Sequence, residues 1–291
     1  MTVPVTINTM RQSTLGTADT CLHRLQYLFD PNVPRKGSVI RTIGTGYHAG
    51  IAEYYFRRRQ GTLRDGIHPT PQERAEFLAA AEAAFDEDLA EYELFDWRYQ
   101  PRTYRQEEKI VDREEAIDIM SNALNTYFLE RHYWPENYEV MAVEMHFELP
   151  YEGMPGWTRS GTMDLVVRDM DTGRLVGDDQ KFTRKQWNKK KVEPSQPQAA
   201  WYVAAIAEWF DEPIENIDFV FSVLGYEQGF KRWEAPRTQR HVQATLERGK
   251  QVARLIEQGG PFPPNPGSFL CSEAYCDFWM ICPFGASLND Q

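Results

Sequence analysis

Two aspartates and a lysine near the middle of the chain have the types and spacing to act on a phosphate. Asp164 opens the β-type run Asp164–Arg168, and Asp179 and Lys181 follow the run Arg174–Gly177. Between the runs, Asp171-Thr172-Gly173 supplies the turn formers of a hairpin. Antiparallel pairing then sets Asp164 and Asp179 side by side at one end of the pair. Side chains alternate along a strand, so Asp179 and Lys181 share a face while Asp178 points to the other. Two carboxylates beside an ammonium outline a metal-and-water site. Mg2+ or Mn2+, held by a few carboxylates with water positions left open, activates water and neutralises phosphoryl oxygens. In that scheme Asp164 and Asp179 are ligands and the Gln180 carbonyl is a third oxygen donor. Lys181 positions the attacking water or stabilises developing charge. A surface ion-pair network of the same residues is the alternative, and for so short a pattern taken alone it is the commoner outcome.

Context outside the hairpin shifts that balance. His48 lies four residues after Gly44 on a helical stretch. A lone histidine is commonly a packed core residue, but an imidazole is also a further metal ligand, and the small residues around His48 allow close approach. Gln198 and Tyr202 are four apart at the start of a helix, hence on one face. From Lys181 to Lys191 the chain carries Lys181, Arg184, Lys185, Lys189, Lys190 and Lys191 with no acid among them. Standing alone, that strip reads as a solvated basic loop. Beside a carboxylate cluster it suits a polyanion that is processed as well as bound.

The 291 residues can bury a large core. An apolar content of 42% with 13% aromatic residues argues against disorder, and no apolar run approaches the ~18 residues a membrane span needs. Met1-Thr2-Val3-Pro4 has neither the basic start nor the apolar centre of a signal peptide, so the expected location is cytoplasmic. The net charge of −11, from 32 basic and 43 acidic residues, counts against nucleic acid as a partner. Much of the acidic excess sits between Glu73 and Glu93, however, away from the basic strip. The four cysteines are Cys21, Cys271, Cys276 and Cys282. In a reducing compartment two disulfides are not expected, which leaves metal ligation or plain buried thiols.

The elements that must position these groups are legible in outline. Residues 13–60 read as helical, with Thr17–Thr20 as caps ahead of a helix over Cys21–Phe29, and a second helix from about Ser38 or Gly46 to Arg59. Thr70-Pro71-Gln72-Glu73 starts a long amphipathic helix that ends before Asp96, and another covers Arg113 to His132. Nothing in 61–137 looks chemical. At Tyr138 the period changes to that of strands: Glu139–Leu149 alternates Val140, Ala142, Glu144 and His146 against Met141, Val143, Met145 and Phe147. The hairpin follows, then an apolar helix Gln198–Phe210, a strand Ile217–Leu224, a helix Thr238–Gln258, and a proline-rich run into the cysteines.

The ordered set Gly44-x-x-x-His48, Gly161-x-x-Asp164, Asp179-x-Lys181 and Gln198-x-x-x-Tyr202 resembles the PD-(D/E)XK nuclease superfamily. More narrowly it is similar to the RecB-type branch, which includes AddB and the CRISPR-associated Cas-four exonucleases. That branch also holds an iron–sulfur cluster by one cysteine upstream of the nuclease core and three downstream, the order found here. The resemblance covers about residues 18–60 and 138–285; each motif is weak singly, and it is their order that carries it. It implies a restriction-endonuclease-like α/β core, a mixed central sheet flanked by helices, with a helical N-terminal region (1–60), a helical insertion (61–137), the nuclease core (138–225) and a C-terminal helix with the cysteine cluster (226–291).

Carried over residue by residue, His48, Asp164 and Asp179 would ligate the metal, Lys181 would be catalytic, and Gln198 and Tyr202 would contact DNA or support the site. Glu144 matches a loosely placed acid of the branch and is a second-tier site residue, as is Asp178. The second acid is an aspartate where glutamate is commoner, and the cysteine spacing is looser than the Cys-x2-Cys often seen. Four thiolates suit a [4Fe–4S] cluster; zinc would also accept them, though structural zinc usually shows a tight Cys-x2-Cys pair. Arg184, Lys185, Lys189, Lys190 and Lys191 would bind DNA, and Trp187 among them is a candidate to stack on an exposed base, whereas Trp201 reads as core. The implied activity is a metal-dependent DNA exonuclease acting on single strands or ends in recombination, repair or CRISPR adaptation, alone, as a homo-oligomer or with partner proteins of those processes. Its size and style also fit a phage-encoded member. The rivals are a non-catalytic DNA-end-binding protein of the same fold and a metal-dependent phosphoesterase for small substrates.

Overall fold

The computed structural model describes residues 8–285 apart from 35, 101–106, 108 and 274; the reading of Met1–Pro4 lies outside the described residues. A short strand β1 (Thr9–Arg11) leads into helices α1 (Gln12–Thr20) and α2 (Arg24–Leu28). Strand β2 (Lys36–Ser38) precedes the long α3 (Val39–Gln60), and α4 (Pro71–Ala90) follows. Three short strands, β3 (Leu94–Asp96), β4 (Arg98–Gln100) and β5 (Lys109–Ile110), lead to α5 (Arg113–Leu129). The chain then forms β6 (Tyr138–Pro150), β7 (Thr158–Asp169), β8 (Leu175–Thr183), α6 (Pro197–Phe210), β9 (Ile217–Gly225), β10 (Gly229–Glu234) and α7 (Gln239–Glu257).

β1, β6, β7, β8, β9 and β10 make one mixed sheet. β6 runs antiparallel along the whole of β7, from Tyr138 opposite Asp169 to Pro150 opposite Thr158. The other side of β7 is shared: β1 pairs with Thr158–Ser160, and β8 with Leu165–Arg168. Residues 161–164 therefore face a gap between two strands, with Asp164 at its edge. β8 continues beyond this gap, parallel to β9, with Asp179 opposite Phe221 and Lys181 opposite Val223.

Alternation along the strands feeds two cores. Leu165, Val167, Val176, Val220 and Leu224 pack with α3, α4 and α5. Val166, Leu175, Phe219, Phe221 and Val223 pack with α6, α7 and α1. The result is the mixed sheet between helical layers that the sequence predicts.

Several expectations need correction. Thr17–Thr20 are not caps but the end of α1, where the Thr20 hydroxyl donates to the Gly16 carbonyl at 3.0 Å. Cys21 is extended, so no continuous helix covers Cys21–Phe29. Asp164 stands within β7 rather than at its start, because β6 keeps pairing with β7 back to Thr158. Strand β6 shifts register between Val140 and Ala142, and this breaks the expected alternation: Val140 and Val143 join one core, Ala142 and Phe147 the other. The 61–137 region is not purely helical, since β3 pairs with β2 and β4 with β5. The short strands β1 and β10 have no clear sequence signal.

The helix starts are closer to expectation. Thr70 and Glu73 form the reciprocal cap of α4: the Glu73 N–H donates to Thr70 Oγ1 and the Thr70 N–H to Glu73 Oε2, at 3.3 and 2.8 Å. Close approach of α3 to α4 and α5 depends on glycine. A Cβ at Gly46 would sit against the Met120 sulfur and 2.7 Å from the Ala81 carbonyl oxygen. Gly46→Val is therefore expected to destabilise the fold by about 1–3 kcal/mol, as overpacked cores do, measured by urea unfolding.

Candidate active site

Four elements deliver the polar groups to the gap beside β7. α3 brings His48, β6 brings Glu144, β7 brings Asp164, and β8 brings Asp179 and Lys181. One ligand atom from each of His48, Glu144 and Asp164 lies within 4.8 Å of the others. His48 Nδ1 is 3.4 Å from Asp164 Oδ2, and the same carboxylate oxygen accepts the Gln180 backbone N–H at 2.7 Å. Asp179 is held on both oxygens: the Gln198 amide donates to Oδ1 at 2.9 Å and the Lys181 ammonium pairs with Oδ2. Glu144 reaches this cluster from a backbone with φ of 45°. A non-glycine residue in that region costs about 1–3 kcal/mol and persists only where its surroundings enforce it.

The charges have been sorted by burial and contact. Burial opposes ionisation of Asp164, yet His48, Lys181 and the Gln180 N–H outweigh it and hold the carboxyl below its ordinary range. Burial opposes the imidazolium of His48, and the adjoining Asp164 reverses this, raising its pKa. Lys181 is raised in the same way: desolvation is outweighed by Asp179 and Asp164. Glu144 is pushed up to about 7 by burial and then by the charge on Asp164. Burial raises Asp179 as well, against the pull of Lys181.

The remaining sequence candidates fall into distinct places. Asp178 faces the α3–α5 layer, where it accepts the Trp134 indole N–H at 2.7 Å and the Gln180 side-chain amide at 2.9 Å. Only main-chain atoms of Gln180 thus remain for the site. Tyr202 is buried between Phe147 and Phe219, with its hydroxyl raised by burial and then by Asp179 and Asp164. Gly161 makes room for those rings, since a Cβ there would meet Phe147 at 2.9 Å and Tyr202 at 3.2 Å.

Lys185, Lys189, Lys190 and Lys191 are exposed, the last three in a turn of 3-10 helix, while Arg184 pairs with Glu227 at 3.4 Å. Trp187 does not stand free as a stacking platform: it is half-buried, with its ring 5.0 Å from Phe221. Trp201 is fully buried.

Two supporting residues escape a reading of the sequence. Trp134 comes from the stretch that looked empty of chemistry, and Arg232 lies over its ring at 4.2 Å. Both act through space across long sequence separations, so no local motif marks them. A third, Arg237, is buried and donates to the carbonyls of Val192, Glu193 and Gln196, fixing the loop that leads to Gln198.

At the other end of α1, all four cysteines are unpaired and line one pocket with His23, Arg24, Tyr27 and Phe278. Burial and the neighbouring Cys282 push the Tyr27 hydroxyl up to about 12. Burial and the other three thiols raise Cys271.

The donor set at the gap, one imidazole with carboxylates, fits a hard divalent cation. Comparison with known proteins agrees with that chemistry. Residues 11–283 match the PD-(D/E)XK nuclease superfamily, and the chain belongs to it. No curated protein matches. Among solved structures, a candidate exonuclease from Eubacterium rectale is similar at 10% identity and a TM-score of 0.44, over 91% of this chain and 87% of that one. Among the described residues no helix is long and apolar enough to cross a membrane.

Glu144 gives the site a measurable pH signature. A carboxyl whose pKa is raised on folding contributes stability at low pH that is lost as pH rises through the folded value. Metal-free protein is therefore expected to lose this contribution as pH rises from the ordinary carboxyl value of about 4.5 through the folded value of about 7, together with that of Asp179, whose carboxyl is likewise pushed up to about 7. Mg2+ should raise Tm more at the upper pH, where the ligand is ionised. Glu144→Gln should weaken both trends in thermal melts, leaving the part that Asp179 contributes.

Proposed function

We propose that this chain is a cytoplasmic, Mg2+- or Mn2+-dependent DNA exonuclease that works on single strands or DNA ends in recombination, repair or CRISPR-adaptation-like processing. The observation that carries the reading is the meeting of His48, Glu144 and Asp164 with the Asp179–Lys181 pair at one gap in the sheet. His48, Asp164, Asp179 and the Gln180 carbonyl would hold the metal, with Glu144 as a further carboxylate. When bound, such an ion neutralises the phosphoryl oxygens and makes water a better nucleophile.

The protein's own groups do the rest. Lys181, kept protonated by Asp179 and Asp164, presents a cation to a phosphoryl oxygen as negative charge builds there. Gln198 holds Asp179 in orientation through its 2.9 Å bond. Tyr202 supports that face from the buried side. Arg184, Lys185, Lys189, Lys190 and Lys191 would neutralise DNA phosphates, a contribution that weakens with salt. The same reading divides the chain into 1–60, 61–137, 138–225 and 226–291.

Asp179→Asn and Lys181→Ala are each expected to lower kcat on labelled DNA by about 10²-fold or more, with Tm kept within a few degrees. Undiminished cleavage by either variant would sink the assignment. A time course on 5′- and 3′-labelled single and double strands then reads the polarity.

The cysteine pocket is proposed to hold a [4Fe–4S] cluster on Cys21, Cys271, Cys276 and Cys282. Support comes from the four unpaired thiols on one pocket. Purified protein is expected to be brown with about four irons per chain. A preparation with stoichiometric zinc and no iron would refute the cluster.

A further inference from the structure

Beside the cluster of His48, Glu144 and Lys181 the surface opens into a broad groove, one wall of which is α3. Gly44, Thr45, Ala49, Ala52 and Phe56 form that wall. Gly44 is a glycine inside a 22-residue helix, where alanine is the better helix former. Its backbone conformation does not call for glycine, since it is not among the positive-φ residues. Packing does not call for it either: a Cβ built at Gly44 meets no heavy atom within 4 Å among the described residues. Gly46 and Gly50, on the same helix, differ in kind, because a Cβ at either would collide with α4 or α5. What Gly44 leaves is bare helix surface on the groove side, one turn before His48.

We propose that Gly44 is a specificity-determining position that admits the backbone of a polynucleotide strand against α3, next to the phosphate being cut. This rests on the nuclease reading above. Four residues of helix span about 6 Å, so a stacked strand laid along α3, at ~3.4 Å per nucleotide, passes Gly44 within about two nucleotides of His48. A side chain there occupies the path of a polymer while standing clear of a diester that ends at the cut. The groove thus selects a strand that continues past the site, which a small phosphoester does not.

The test compares wild type, Gly44→Ala and Gly44→Leu on a long single-stranded oligonucleotide and on a dinucleotide. Both variants are expected to fold, with Tm equal to or above wild type because the new atoms meet open space. In Gly44→Leu, kcat/KM on the long strand should fall about tenfold or more, and the loss on the dinucleotide should be smaller, so the preference for polymer shrinks. Equal losses on both substrates, or no loss on either, overturn the proposal. Wild-type protein that cuts neither substrate sinks the nuclease reading instead. Fluorescence-anisotropy titration with the same oligonucleotide then decides this inference by itself: unchanged affinity in Gly44→Leu overturns it, and weakened affinity supports it.

Discussion

Where β7 and β8 part, a carboxylate takes over from the sheet. The last paired residues are Leu165 and Asp178, and one step further the Gln180 N–H donates to Asp164 Oδ2 instead of to a strand carbonyl. A buried backbone N–H left without a partner is costly, so this bond keeps β8 in register while opening room beside β7. The opening exists because β1 and β8 share one side of β7 without meeting. Every polar group of the site arrives at that break: His48 from the helix above it, Glu144 from the strand behind it, Asp179 and Lys181 from the strand that has turned away. The gap is thus a topological consequence of the short β1.

Three acids and two cations in so small a space would be prohibitive unless each were matched. Charge is matched pairwise, Asp164 with His48 and Asp179 with Lys181, and burial still drives two of the acids, Glu144 and Asp179, up to about 7. Strand alternation assigns the adjacent aspartates different work. Asp179 faces the gap, while Asp178 faces the α3–α5 layer and receives donors from Trp134 and Gln180. Gln180 is bound from both directions, by its backbone to Asp164 and by its side chain to Asp178. The two halves of the sheet's interior are therefore locked to each other through a single residue between the acid pair and the lysine.

Local patterns carried far in the sequence. The Thr70–Glu73 cap, the strand period from Tyr138, the turn at Gly173 and the shared face of Asp179 and Lys181 all depend on near neighbours, and the structure repeats them. Gln198 could be placed beside Tyr202 by helical spacing, but its bond to Asp179 depends on how α6 lies across the sheet. What could not be read was set at a distance. The β6 register shift and the positive φ of Glu144 answer to the strands and charges around them, and no propensity of Glu144 announces either. Trp187 looked available because lysines surround it in sequence, yet Phe221, 34 positions on, decides its burial. Trp134 lies in a stretch without a chemical motif, and only the fold brings its N–H to Asp178.

Segments from early and late in the described chain meet directly. Asn265 donates to the Thr20 carbonyl at 3.0 Å, His23 lies 3.1 Å from the Phe262 carbonyl, and Arg248 pairs with Asp19. These contacts bring the cysteines of both segments to one pocket. α1 and α7 also pack against α6, the helix that carries Gln198. Loosening of the terminal layer therefore reaches the site by a short mechanical route, through α6 to the amide that orients Asp179.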